Sequence, residues 1–112
     1  MIPAFVDVEP GTYCIDANKV EEMITEKTKA LVIPNLIGNL PDWQKLREIA
    51  DKHNLFVLED SADTLGALIG GESSGRFSDI SITSFYGSHV INAAGNGGML
   101  CINDDDLHER AK

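Results

Sequence analysis

Two uninterrupted apolar runs, Ala30–Pro34 and Leu55–Leu58, flank a stretch in which apolar residues recur at helical spacing. Ala30-Leu31-Val32-Ile33-Pro34 is too short for a helix and predicts a strand covered on both faces. After an Asn35–Leu40 loop, Pro41 suits a first helical turn. Trp43, Leu46, Ile49 and Ala50 then give the buried stripe of a helix ending near His53. Leu55–Asp60 predicts a second strand, which ends in two carboxylates. Asp79–Phe85 alternates Ile80 and Ile82 with Ser81 and Thr83, a third strand, and Gly98–Ile102 is a fourth. At the N-terminal end, Pro3–Val8 alternates like a short strand closed by Glu9-Pro10-Gly11. Asp16 then suits the N-cap of a helix over 17–27, with Val20, Met23 and Ile24 on one face. Residues 66–78 form a Gly- and Ser-rich loop with a small hairpin at Gly70-Gly71, and Asp104–Lys112 begins a last helix capped by its acidic residues.

Helices placed between apolar strands require crossover connections. The predicted fold class is therefore α/β, a largely parallel sheet flanked by helices. Such sheets gather ligands beyond the carboxyl ends of their strands, where Asp60 and Ser84 both fall.

With 112 residues, the chain suffices for one modest domain and not for two. Its 43% hydrophobic and 24% charged residues are those of an ordinary globular protein. No apolar run approaches the roughly 20 residues of a membrane span, and no basic-plus-apolar leader opens the chain, so the expectation is no membrane and a cytoplasmic location. The 18 acidic against 9 basic residues, a net charge of -9 with no basic stripe, argue against nucleic acid as a partner. Cys14 and Cys101 lie far apart with no histidine cluster nearby and read as reduced structural thiols, with no metal site.

A strand-end aspartate such as Asp60 can hold a heterocyclic nitrogen protonated, or it can be a loop acid or helix cap. Ser84, with Ser88 near in sequence, can donate to a phosphate or simply form a turn. His89 can serve as a base near neutral pH or be a surface histidine. Between Lys52 and Lys112 there is no lysine, hence no amine to recruit in its place. Gly95-Asn96-Gly97-Gly98 precedes a strand and not a helix, and it lacks both GxGxxG spacing and a Walker lysine. It reads as a tight turn allowing close backbone approach near a cofactor.

Jointly, in order and spacing, these pieces suggest a pyridoxal-phosphate site. Phe5-Val6-Asp7-Val8, Thr28–Pro34, Leu58-Glu59-Asp60-Ser61-Ala62, Gly66-Ala67, Asp79–Phe85 and Gly95-Asn96-Gly97-Gly98 together resemble the DegT/DnrJ/EryC1/StrS sugar aminotransferase/dehydratase family, within the fold-type I pyridoxal-phosphate enzymes. The resemblance runs over essentially the whole chain. It implies that Asp60 pairs with the cofactor's pyridine nitrogen and Ser84 binds its phosphate, and that His89 stands where the family's aminotransferases carry the Schiff-base lysine. An imidazole cannot hold the cofactor covalently, but it can move protons. Histidine here resembles the branch of nucleotide-hexulose 3-dehydratases, and Asp63, at a cofactor-binding position where aminotransferases have Gln or His, supports that branch. Ala62 falls where some dehydratases have the first cysteine of an iron–sulfur cluster, so the chain resembles the cluster-free kind. Asn96 departs from the acidic residue usual in the family's glycine-rich turn, and Val90 from the second histidine that known dehydratases often carry there.

The resemblance implies an internal fragment (1–112) of a pyridoxal-phosphate-binding large domain, with an N-terminal segment and a C-terminal small domain outside it. The expected parent is a homodimeric lyase that uses pyridoxal 5′-phosphate or pyridoxamine 5′-phosphate. It would remove the 3-hydroxyl of a nucleotide-linked 4-keto-6-deoxyhexose in deoxysugar and lipopolysaccharide biosynthesis, and the fragment alone would be inactive. Two alternatives stay open: a nucleotide-sugar aminotransferase relative that has lost its lysine, and a non-catalytic α/β interaction module.

Overall fold

The computed structural model describes residues 1–112. Its centre is a four-stranded sheet of β1 (Ala30–Pro34), β2 (Phe56–Asp60), β5 (Ile80–Ser84) and β6 (Gly98–Ile102), in that spatial order. β1, β2 and β5 are parallel and β6 runs antiparallel to β5, so the largely parallel α/β architecture stands. A two-stranded hairpin, β3 (Leu68–Ile69) and β4 (Glu72–Ser73), turns at Gly70 and Gly71, whose φ angles of 62° and 91° suit residues without a Cβ.

The crossover from β1 to β2 is α2 (Trp43–His53). Asp42 caps it, its side chain accepting from the Lys45 amide at 3.0 Å. Asn54 ends it in the left-handed conformation, φ 53° and ψ 49°, donating its N–H to the carbonyls of Ala50 and Asp51. Because the cap is Asp42, Pro41 lies one residue outside the helix and not in its first turn, a small correction. The predicted stripe of Trp43, Leu46, Ile49 and Ala50 is fully buried. It meets Leu31, Ile33, Leu55 and Val57 from the sheet, with Ala17 and Val20 of α1 (Ala17–Val20) closing one core.

Three other expectations need correction. Residues 3–8 form no strand beyond a single bridge, Val8 to Ile15, because no neighbouring strand is there to pair with them. The helix expected over 17–27 gives way to a 3-10 turn at Glu21–Met23 and extended backbone at Ile24. Threonine side chains stop it: Thr28 Oγ1 takes the Thr25 amide at 2.9 Å and Thr25 Oγ1 the Lys27 amide at 3.3 Å. Finally, β1 is buried on one face only. Leu31 and Ile33 point into the core, while Val32 is 64% and Phe56 of β2 52% exposed on the other side. Helices α1 and α2 cover a single face, which leaves an open apolar one. At the chain's end, α3 (Asp105–Ala111) is capped as expected, Asp104 accepting from Leu107 N at 2.7 Å. No helix is long and apolar enough to cross a membrane.

Candidate functional site

The last two residues of β2 point to opposite sides of the sheet, as strand alternation requires. Glu59 faces the core, and Asp60 faces the open side and is partly exposed. Asp60 is in register with Ile82 of the parallel neighbour β5, so Ser84, two residues further on, shares Asp60's face. Asp60 and Ser84 thus share one face of the sheet at the carboxyl ends of adjacent strands, offset by two residues. Each also shapes its local turn: Asp60 Oδ1 accepts from Ala62 N at 3.0 Å and Ser84 Oγ from Tyr86 N at 3.2 Å. Asp60 Oδ2 accepts no hydrogen bond from the protein.

The loops that follow are tied together. Ser61 N donates to Ile82 O at 2.8 Å, and Thr83 Oγ1 donates to Ser61 O at 3.0 Å. This brings the turn carrying Asp63 beside the turn carrying His89, where His89 N donates to Tyr86 O at 2.9 Å. Nε2 of His89 lies 4.0 Å from Asp63 Oδ1, an ion-pair distance with the imidazole partly sheltered. The Tyr86 ring meets the imidazole edge-on, 5.7 Å between centroids and 67° between planes. The other imidazole nitrogen, Nδ1, is enclosed without a hydrogen-bond partner. The four residues singled out in the sequence therefore form two pairs, Asp60 with Ser84 and Asp63 with His89, on the same two strand ends.

The glycine turn allows the close backbone approach expected of it, and the backbone approached is that of β5. A Cβ on Gly98 would stand 3.2 Å from the backbone oxygen of Thr83, and one on Gly97 3.1 Å from the Ala93 Cβ. The close approach is that of β6 to β5 and its own loop, with Phe85 N donating to Gly97 O at 2.7 Å. A hollow of about 350 Å³ lies at the other, amino end of the sheet, lined by Lys29, His53, Asn54 and residues of the 24–28 turn. The strand-end site, by contrast, is an open surface. No cluster of three or more His, Cys, Asp or Glu is placed to hold a metal ion, and both cysteines are free, Cys14 buried and Cys101 exposed.

Sequence reasoning missed the role of Glu59. It is 1% exposed, yet no cation pairs with it. Its Oε1 accepts from Asn35 Nδ2, Ser61 Oγ and Ser74 Oγ, each at 2.6 Å, and its Oε2 from Ser78 Oγ at 3.4 Å. Asn35 in turn accepts from the Trp43 indole, Nε1 to Oδ1 2.8 Å. The serines spaced along residues 61–78 were the available signal, but nothing local connects them to Asn35.

The chain matches the DegT/DnrJ/EryC1/StrS aminotransferase family over residues 1–112. It belongs to that family. Among curated relatives, a GDP-perosamine synthase of Caulobacter vibrioides is 43% identical over 105 residues, covering 94% of this chain and 28% of that protein. Among solved structures, an aminotransferase from Psychrobacter cryohalolentis superposes with a TM-score of 0.89 at 37% identity, over 94% of this chain and 27% of its own. An E. coli GDP-4-keto-6-deoxy-D-mannose 3-dehydratase with bound hydrated PLP gives a TM-score of 0.82 at 28% identity, over 94% and 27%. The chain thus spans between a quarter and a third of the length of these DegT-family relatives.

Proposed function

We propose that this chain carries the strand-end half of a pyridoxal-phosphate site, and that the protein it serves is a nucleotide-sugar 3-dehydratase. The substrate class is a nucleotide-linked 4-keto-6-deoxyhexose, and the reaction would remove its 3-hydroxyl to give a 3-deoxy keto-sugar, the two electrons for this net reduction being supplied by the pyridoxamine form of the cofactor, which would end as the pyridoxal form with its nitrogen released as ammonia. The observation that carries the reading is His89, an imidazole beside a carboxylate where no lysine is at hand.

The residues fit the cofactor. Asp60 offers an unpartnered carboxylate oxygen at a rigid strand end, suited to a protonated ring nitrogen, and Ser84 presents a hydroxyl on the same face for a phosphate oxygen. When bound, pyridoxal or pyridoxamine phosphate supplies an electron sink, its protonated ring taking up charge as a neighbouring carbon loses a proton. His89 would remove and hold that proton. Its Nδ1 is enclosed, so Nε2, 4.0 Å from Asp63 and not enclosed, is the nitrogen that a reacting carbon could approach. Tyr86 limits the ring's rotation, and Asp63 would stabilise the charged imidazolium after proton transfer.

A second reading, a sugar aminotransferase relative without its lysine, is favoured by 43% identity to the perosamine synthase against 38% to a dTDP-4-dehydro-2,6-dideoxy-D-glucose 3-dehydratase of Saccharopolyspora spinosa. Incubation of the full-length protein with pyridoxamine phosphate and nucleotide-4-keto-6-deoxyhexoses separates the two, with loss of the 3-hydroxyl followed by NMR. The dehydratase turns over and the aminotransferase relative does not. His89→Asn should cut turnover by about 10²–10⁴-fold while cofactor absorbance at saturation is unchanged. Turnover at the wild-type rate in His89→Asn would remove the base from the mechanism.

A further inference from the structure

Glu59 touches nothing on the open face, yet its carboxylate is where the segments behind that face converge. Its four donors come from separate stretches: Asn35 after β1, Ser61 after β2, Ser74 in the 3-10 turn Ser74–Phe77, and Ser78 just beyond it. The same hub extends through Asn35, whose side chain also donates to Ser61 Oγ at 2.9 Å and accepts from Trp43 of α2. The Asn35 backbone oxygen accepts from Thr64 Oγ1 at 3.1 Å. Both ends of the 61–64 turn are therefore tied to Glu59, one directly through Ser61 and the other through Asn35 and Thr64. That turn carries Asp63, and its amide at Ala62 is the one Asp60 accepts from.

A merely space-filling residue at this position would be apolar, since Val57, Ile33 and Leu46 line the same core. A buried carboxylate with no counter-ion persists only when its lone pairs are met by donors, as they are here. We infer that Glu59 is a positioning residue: its buried anion draws the hydroxyls and the Asn35 amide inward, and so fixes the directions in which Asp60 and Asp63 leave the sheet. Glutamine in its place keeps the shape and removes the charge. Its amide oxygen accepts from Asn35, Ser61 and Ser74 less strongly than a carboxylate does, and its nitrogen can face only Ser78 Oγ, so the ties to Ser61 and Asn35 slacken. The functional half of this inference rests on the pyridoxal-phosphate reading; the structural half does not.

The test has two arms. The first uses this chain without cofactor and follows amide hydrogen exchange by NMR. In Glu59→Gln the amides of Ala62 and Thr64 should exchange at least about 10-fold faster, while those of Ile49 and Ala50 in α2 change by less than about 2-fold. Ser74→Ala, which deletes one donor and threatens folding less, should move the same two amides in the same direction. Unchanged exchange at Ala62 and Thr64 overturns the inference, and so does an equal rise at all four amides, which would mark Glu59 as a general stabiliser. In the second arm, the full-length protein's affinity for pyridoxal phosphate is measured in a double-mutant cycle of Glu59→Gln with Asp60→Asn. Glu59→Gln should weaken binding about 10-fold alone and by less than about 2-fold when Asp60 is already replaced. Equal losses in both backgrounds overturn the positioning role. If the unmutated protein binds no cofactor, the proposed function fails while the first arm still decides the role of Glu59.

Discussion

Replacing Trp43 with phenylalanine tests whether the hub is energetically coupled to the core. Trp43 is 1% exposed, and its indole N–H is the sole donor to Oδ1 of Asn35, itself 1% exposed. Phenylalanine keeps most of the ring but has no N–H, so a buried amide oxygen loses its partner at a cost of about 1–3 kcal/mol. The missing part of the indole leaves a void of about 40 Å³, which at roughly 24 cal/mol per Å³ adds about 1 kcal/mol. Together these predict a loss of about 2–4 kcal/mol, a large fraction of the stability of a small domain. Urea unfolding followed by far-ultraviolet circular dichroism measures it, provided the slope against denaturant is unchanged. A loss below about 1 kcal/mol would mean that Asn35 finds another donor or was never held by the indole, and the coupling between α2 and the strand ends would be refuted.

The remaining predictions concern the caps, the turn and an exposed acid. Leu46→Ala, at a fully buried position of the α2 stripe, should cost about 2–5 kcal/mol by thermal or chemical unfolding, and a neutral result would misplace the core. Asn54→Gly should be neutral or stabilising by a few tenths of a kcal/mol, and Asn54→Val destabilising by about 1 kcal/mol or more, because position 54 is left-handed. Gly98→Val should destabilise the β5–β6 pair, since its Cβ would press on the Thr83 oxygen; an unchanged melting temperature would contradict that close approach. Glu21 is held down at about 2 by hydrogen bonds first from Lys52 and then from His53, against an ordinary 4.5. A carboxyl whose folded value is depressed stabilises the fold above its unfolded value, and that contribution is lost as the pH falls from about 4.5 towards about 2. An NMR titration should place the Glu21 midpoint near the lower figure and Lys52→Met should raise it; a wild-type midpoint near 4.5 would remove the ion pair.

What could be read from the residues was what depends on local periodicity. The stripe on α2 predicted its buried face residue by residue, and the alternation in Ile80–Ser84 located β5. Placing Asp60 and Ser84 at the carboxyl ends of strands followed from the α/β pattern alone, whereas the adjacency of those two strands did not. Long-range partners were not legible. Pro3–Val8 alternates like a strand, but alternation cannot supply a neighbour. Thr25 and Thr28 stop a helix through side-chain bonds that compete with the backbone. A run such as Ala30–Pro34 does not reveal how many of its faces are covered. The meetings of Asp63 with His89 and of Asn35 with Glu59 join residues 26 and 24 apart in the chain, beyond the reach of any local pattern.

The adjacency of Glu59 and Asp60 also bears on how β2 finds its place during folding. Shifting that strand by one residue against β1 and β5 would exchange the two acids. The shorter aspartate would enter the nest of serine hydroxyls and fall short of them, and the longer glutamate would swing out to solvent, taking Val57 with it. Leu58 or Phe56 would take Val57's place in the core, so mispairing is penalised chiefly by the unmet polar pocket. Two consecutive acidic letters thus act as a ratchet that admits a single alignment of the strand.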